Sequence, residues 1–200
     1  MRYFKILILI IIGLLQFNYG LAAVWVEIDG LKYEYIKYNG PVTGYGEVYL
    51  IGYSSSVPED LKIPYTITYK NQGTKRQCYV STITSGAFSG CTKIKSVHTP
   101  QIRDIKNNAF AGCTSLQVVS FGSLCRNIGS KAFTHCTALN TVYYTNTVIA
   151  EDAFDESTYQ NAKLIVSDAN REQCNNDKVW SKFQNKIYTY SISVNSSFGS

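Results

Sequence analysis

The sequence predicts a solenoid. A short parallel β-sheet forms one side and a wall of loops and short helix the other, with a β-rich cap at the N-terminal end and a helical cap at the C-terminal end. Three observations carry this reading. First, one phrase recurs four times: Ile, three residues, Ala-Phe, two residues, then Cys-Thr or its relic Ser-Thr. The copies are Ile83-Ala87-Phe88-Cys91-Thr92, Ile105-Ala109-Phe110-Cys113-Thr114, Ile128-Ala132-Phe133-Cys136-Thr137 and Ile149-Ala153-Phe154-Ser157-Thr158. Second, the phenylalanines step by 22, 23 and 21 residues. Third, each copy is followed by alternation of apolar and other residues, the period-two signature of a strand.

A unit this short cannot bury its own apolar face, so each turn leans on its neighbours and stability becomes a sum of interfaces between turns. The period is that of leucine-rich repeats, and the fold class is therefore a leucine-rich-repeat solenoid.

Residues 1–23 read as a secretory signal peptide. Arg2 and Lys5 precede an apolar run from Ile6 to Leu15, and small residues follow at Gly20, Ala22 and Ala23. The run is shorter than the roughly 20 apolar residues a membrane-spanning helix needs. Val24 follows, so no cysteine stands there to carry a lipid. Loss of the leader removes two of the 19 Lys and Arg and leaves 17 against 14 Asp and Glu, a net charge of +3. That is a weak field without the clustered basic face of a nucleic-acid binder. The densest basic group, Lys70, Lys75 and Arg76, flanks a turn-forming Asn-Gln-Gly and reads as a solvated turn. The sixteen tyrosines suit a binding surface and equally suit strands.

Residues 24–80 form the N-terminal cap, which shields the first rung of the apolar ladder. Trp25 to Ile28 and Leu31 to Tyr38 flank Asp29-Gly30, a hairpin signal. Glu47 to Tyr53 is a third strand. A turn at Pro58-Glu59-Asp60 leads to Leu61–Pro64, Thr66–Tyr69 and, past Asn71–Gly73, Arg76–Val80.

Residues 81–167 hold four repeats. In their strands Ile94, Val97 and Thr99, then Leu116, Val119 and Phe121, then Leu139, Val142 and Tyr144, then Leu164 and Val166 point inward. Ser96, His98, Val118, Ser120, Thr141, Tyr143, Lys163 and Ile165 lie on the other face by alternation. Each Phe fills a rung and stacks on the next. Phe110 is interior, and Phe154, nearer the end, is expected to cost less when truncated. Ala leaves room for close packing between turns, and Cys supplies a small buried group whose weak S–H donor can reach a loop carbonyl.

Residues 168–190 form the C-terminal cap, with Asp168 as N-cap of a helix over Ala169–Cys174 and Trp180, Phe183 and Ile187 as an apolar helical stripe. Residues 191–200 read as a flexible tail; the sequon Asn195-Ser196-Ser197 lies there.

The phrase resembles that of the BspA-like leucine-rich-repeat family, whose units read I-x-x-x-A-F-x-x-C-x-x-L-x-x-V. The stretches Glu27–Tyr33 and Val57–Pro64 resemble that family's N-terminal part, and the Trp180, Phe183, Ile187 ending resembles its terminal segment. The last copy departs from it, with Ser157 in place of Cys and one extra residue before Leu164. The resemblance implies an extracytoplasmic, often surface-held protein. It implies adhesion or binding of a protein ligand on a host or neighbouring cell surface or matrix, and no shared active site.

The chemistry-bearing residues agree with a non-enzymatic reading. Cys91, Cys113 and Cys136 hold equivalent places and are read as inward thiols, with a bridge inside the ladder as the rival. Cys78, Cys125 and Cys174 lie outside it, and a disulfide between one pair of them is left open. A thiol enzyme needs a histidine beside its cysteine, but the only histidines are His98 and His135. His135 adjoins Cys136 in sequence, which sends the two side chains apart. No Cys-x-x-Cys or His-x-x-x-His occurs. Glu151, Asp152, Asp155 and Glu156 lack the spacing of a calcium loop and read as a solvated rim. No cofactor or metal is expected. The expected function is a secreted or cell-surface protein-binding module whose contact surface is the eight outward residues named above, without nucleic acid and without a membrane span after the leader. Two alternatives stand beside it: a binding surface on the tyrosine-rich cap around Tyr33, Tyr35 and Tyr38, and a structural surface component that self-assembles without a discrete ligand.

Overall fold

The computed structural model describes residues 25–38, 46–71 and 74–190; the leader, the sequon and the tail lie outside them. Two sheets form the walls of the solenoid. The first opens with β1 (Trp25–Ile28), β2 (Leu31–Tyr38) and β3 (Gly46–Tyr53). Asp29 and Gly30 close the β1–β2 hairpin with φ of 51° and 79°, the left-handed pair that a tight two-residue turn requires. The next strand, β4 (Asp60–Lys62), belongs to the second sheet, while β5 (Thr66–Asn71) folds back antiparallel on β6 (Thr74–Ile83).

From β6 onward the chain winds. Each turn contributes one strand to the second sheet, as β7 (Ser96–Thr99), β9 (Val118–Phe121) and β11 (Thr141–Tyr143). It then contributes a two-residue strand to the first sheet, as β8 (Asp104–Ile105), β10 (Asn127–Ile128) and β12 (Val148–Ile149). All of these pair in parallel, and the first sheet runs β1-β2-β3-β6-β8-β10-β12. The wall read from sequence as loops and short helix therefore carries a hydrogen-bonded ladder of its own. Among the described residues its α-helix, α1 (Glu156–Asn161), holds the end of the last copy of the phrase, Ser157 and Thr158.

The recurring phrase is the core. Ile83, Ile105, Phe88, Phe110, Phe133, Ala109, Ala132 and Cys113 are all 0 % exposed. The rings of Tyr53, Phe88, Phe110, Phe133 and Phe154 form one column, with successive centroids 5.7, 4.9, 5.2 and 5.1 Å apart and planes within 14°. Such offset pairs add about 0.5–1.5 kcal/mol each beyond area burial. The backbone beneath is laced across turns: the N–H groups of Phe88, Phe110 and Phe133 donate to the carbonyls of Ala109, Ala132 and Ala153 at 2.7–2.8 Å. Cys113 and Cys136 donate S–H to the Phe88 and Phe110 carbonyls, both at 3.2 Å. The residues before Ala and before Cys are left-handed, with φ of 54–74° at Gly86, Asn108 and Lys131 and at Gly90, Gly112 and His135. Gly122 serves a different need: a Cβ there would lie 1.8 Å from the Pro100 carbonyl oxygen of the turn before.

The C-terminal segment carries the helical cap expected and differs from it at two points, its first cap residue and its last strand. Strand β13 (Lys163–Ser167) is followed by a 3-10 turn at Asp168–Asn170, the helix α2 (Arg171–Asn176) and a second 3-10 turn at Trp180–Lys182. Asp168 is not an N-cap: it is the first residue of the 3-10 turn, whose cap position is Ser167, and its carboxylate accepts from Arg171 Nε at 2.8 Å. Ile187 is not on a helix. It lies in β14 (Asn185–Thr189), which adds in parallel to β13, so the second sheet runs β14-β13-β11-β9-β7-β4. The i, i+3, i+7 spacing mimics a helix, but the open edge of β13 offers a full ladder to an Ile-Tyr-Thr segment with strand propensity.

Candidate binding face

The outer surface of the six-stranded sheet is built by register. Pairing aligns Asp60, Ser96, Val118, Thr141, Lys163 and Asn185 in one column. It aligns Lys62, His98, Ser120, Tyr143, Ile165 and Ile187 in a second. Between them Leu61, Val97, Val119, Val142 and Leu164 turn inward, each no more than 1 % exposed. All eight residues expected on this face lie on it. His98, Tyr143 and Lys163 are exposed, while Ser96, Val118, Ser120, Thr141 and Ile165 are half-buried.

The ends of both columns were not among the expected residues. β4 is only three residues long and precedes the first full phrase, so Asp60 and Lys62 read as cap. Asn185 and Ile187 were hidden by the helical reading of the stripe. The alternation of Leu61 and Ile63, both buried, with Lys62, exposed, was the available signal for β4.

The face is graded in chemistry. At the β4 end the Asp60 carboxylate accepts from Ser96 Oγ and pairs with Lys62 Nζ at 3.5 Å, and these two contacts, in that order, hold its carboxyl below the usual range. Glu59 beside it is held low in the same way by Lys95, 2.8 Å away. At the β14 end Tyr143, Ile165 and Ile187 stand side by side on three adjacent strands, with Tyr143 42 % and Ile187 43 % exposed.

Tyr33, at the centre of the alternative cap surface, is 1 % exposed and part of the core. It cannot meet a partner. The side chains of Tyr35 and Tyr38 lie outside the described residues.

All six cysteines are buried thiols, so the disulfide left open among Cys78, Cys125 and Cys174 is absent. The three belong to separate places: β6, the turn before β10, and α2. Burial pushes Cys125 and Cys174 up to about 11, and the hydrogen bond with Cys136 followed by burial pushes Cys113 up. These thiols are protonated at neutral pH and poor nucleophiles. His135 is exposed, its Nδ1 3.3 Å from Thr134 Oγ1, while Cys136 points into the core. The acidic rim is structural: Asp152 accepts from Ser130 Oγ at 2.7 Å, Asp155 accepts from Thr134 Oγ1 and the His135 N–H at 2.6 Å, and Glu151 pairs with Lys178. Among the described residues no three His, Cys, Asp or Glu side chains are grouped to hold a metal, and no helix is long and apolar enough to cross a membrane.

Three crystal structures share the fold. A leucine-rich repeat protein from Bacteroides capillosus is 21 % identical with a TM-score of 0.55, the match covering 82 % of this chain and 98 % of that one. One from Bacteroides ovatus is 24 % identical with a TM-score of 0.53, covering 72 % and 37 %. A leucine rich cell surface protein from Faecalibacterium prausnitzii is 20 % identical with a TM-score of 0.51, covering 73 % and 37 %. The chain thus spans about 37 % of the length of the last two. No curated protein matches the chain in sequence. The model of the BspA type leucine rich repeat region matches residues 61–174 in six copies, beginning at the residue after Asp60 in β4. With more than half of its length so matched, the chain belongs to the BspA-type leucine-rich-repeat proteins.

Proposed function

We propose that the chain is an extracytoplasmic, adhesion-type binding module that grips a protein ligand on a host or neighbouring cell surface or matrix, without catalysis of its own. The contact is made by the outer columns of the six-stranded sheet. The observation that carries this is the apolar row of Tyr143, Ile165 and Ile187, held rigid by strand register and bordered by the polar Thr141, Lys163 and Asn185. Exposed aromatic and aliphatic anchors with a polar rim are the anatomy of a protein interface. The leader-like residues 1–23 and the cell surface protein among the structural neighbours support the location.

The test is to capture partners from extracellular-matrix and cell-surface fractions, then measure variants by surface plasmon resonance. Tyr143→Ala and Ile187→Ala are expected to weaken binding at least tenfold, about 1.4 kcal/mol. Lys106→Ala, on the opposite wall beside Asp104, should leave it unchanged. Equal affinity of all three variants would show that the partner uses another surface.

A further inference from the structure

Among the described residues the first sheet has two open ends, and they fit one another. At one end is β12. The Ile83, Ile105 and Ile128 carbonyls each accept an N–H from the following turn, from Lys106, Gly129 and Ala150 at 2.8–3.0 Å. Ile149 is next in that series, and no strand of the described residues lies beyond β12. Its backbone groups face a groove of about 640 Å³ between β12 and the segment 177–179. Val148, 73 % exposed, and Leu124, 42 % exposed, both line this groove.

At the other end is β1, which among the described residues pairs with β2 alone. In a hairpin closed by two residues, Ile28 with Leu31 and Val26 with Tyr33 exchange the hydrogen bonds. The backbone groups of Trp25 and Glu27 therefore point out of the free edge. β1 is antiparallel to β2, β2 is antiparallel to β3, and β3 is parallel to β6 and its successors. It follows that β1 runs in the same direction as β12.

We infer that a second copy docks head to tail, its β1 adding as a parallel strand to the open edge of β12. Aligning Val26 with Ile149 lets the Glu27 N–H donate to the Ile149 carbonyl and the Ile149 N–H donate to the Trp25 carbonyl. The faces agree as well: Val26 and Ile149 both turn inward, and Trp25, 46 % exposed, comes to lie against Val148. Charge is complementary. β1 and its turn bring Glu27 and Asp29, whereas the groove margin and the chain beside it carry Arg126, Lys178 and Lys182 against Glu151 and Asp177. Neither Glu27 nor Arg126 is in an ion pair among the described residues. Because the two contact surfaces differ, the contact is heterologous, and repeated with a rotation that does not close a ring it adds copies without limit. The result is a row of identical binding faces, which raises avidity for a surface bearing many ligands.

The experiment is sedimentation velocity on the purified chain from Val24 onward over a wide concentration series. The expected result is a sedimentation coefficient that keeps rising with concentration. Trp25→Lys and Val148→Lys should each abolish the rise. Mixed, the two should give a dimer and nothing larger, since the first variant retains a good β12 edge and the second a good β1 edge. Circular dichroism checks that each variant is folded, and Glu27→Lys, at an exposed position, replaces Trp25→Lys if that one is not. A constant monomer at all concentrations, a closed dimer, or assembly that survives both variants would overturn the proposal. None of these outcomes bears on the strand-face binding test, which reads Tyr143 and Ile187.

Discussion

The middle of the solenoid and its C-terminal end solve the same problem with the same residue types in opposite geometry. In the middle, Phe88, Phe110 and Phe133 stack almost flat, their planes within 4°. At the end, Phe154 meets Tyr159 and Phe183 edge-on, at 80° and 76°, and Trp180 crosses Phe121 and Tyr144 at 62° and 71°. A flat stack is what translation of one unit produces, and it always presents another face for the next ring. The tilted cluster presents edges and closes the column. Ending a repeat therefore requires residues that break its symmetry, and Trp180, 0 % exposed, is the largest of them.

The sharpest way to break this comparison is truncation of one ring from each region. Phe110→Ala is expected to cost about 3–5 kcal/mol by urea denaturation, the range for a buried aromatic. From sequence alone Phe154 should cost less, being nearer the end. In the structure it is 3 % exposed and has ring contacts with Phe133, Tyr159, Trp180 and Phe183, so Phe154→Ala should cost as much. A loss at Phe154 of less than half that at Phe110 would mean that the cluster is loose and the stack alone carries stability.

A smaller effect is expected at Trp180, whose buried Nε1 has no hydrogen-bond partner among the described residues. Trp180→Phe leaves a void but removes the orphan donor, whose burial costs about 1–3 kcal/mol. The net change should be under about 1 kcal/mol; a loss near that of Phe110→Ala would mean the donor is satisfied.

Smaller again, and opposite in sign, is relief of backbone strain. His135 holds φ 56° at a position that Gly90 and Gly112 occupy in earlier turns. A left-handed residue with a Cβ costs about 1–2 kcal/mol, partly offset by the extra chain entropy of glycine. His135→Gly should raise the unfolding free energy by about 0.5–1 kcal/mol. A decrease would show that the imidazole contributes more than its contact with Thr134 suggests.

The thiols test the interior without altering it. With burial raising Cys125 and Cys174, and the hydrogen bond with Cys136 followed by burial raising Cys113, the folded chain should react slowly with a thiol reagent at neutral pH. All six groups should become reactive on denaturation. Detection of fewer than six, with the remainder in disulfides, would contradict the buried reduced ladder.

These regions also differ in how far they could be read in advance. Phe88, Phe110 and Phe133 recur with Ala and Cys at fixed offsets, and fixed offsets in a stack of equal turns translate directly into aligned positions. The inward and outward strand residues followed from the same regularity, down to the column holding Tyr143 and Ile165. What could not be read lies where the period stops or the element is too short to show one. β8, β10 and β12 have two residues each, and two residues carry no alternation. Their pairing comes from turns pressed together by the Phe column. β14 was concealed because Phe183 and Ile187 sit at a helical spacing from Trp180, while the backbone of Ile187 is recruited by the edge of β13. That all six cysteines are reduced depends on their three-dimensional separation, which spacing in the chain does not reveal.

The S–H and N–H bonds that lace Cys113 to Phe88, Cys136 to Phe110, and each Phe to the next Ala have a mechanical consequence. Each tethers one turn to its immediate neighbour, so a pull along the axis loads the turns in series, like links. A chain held at one end and pulled by a ligand at the other should yield a turn at a time, each release paying out about 75 Å of contour for some 22 residues. The weakest link then sets the breaking force. Released turns act as a shock absorber, while those still wound keep their grip.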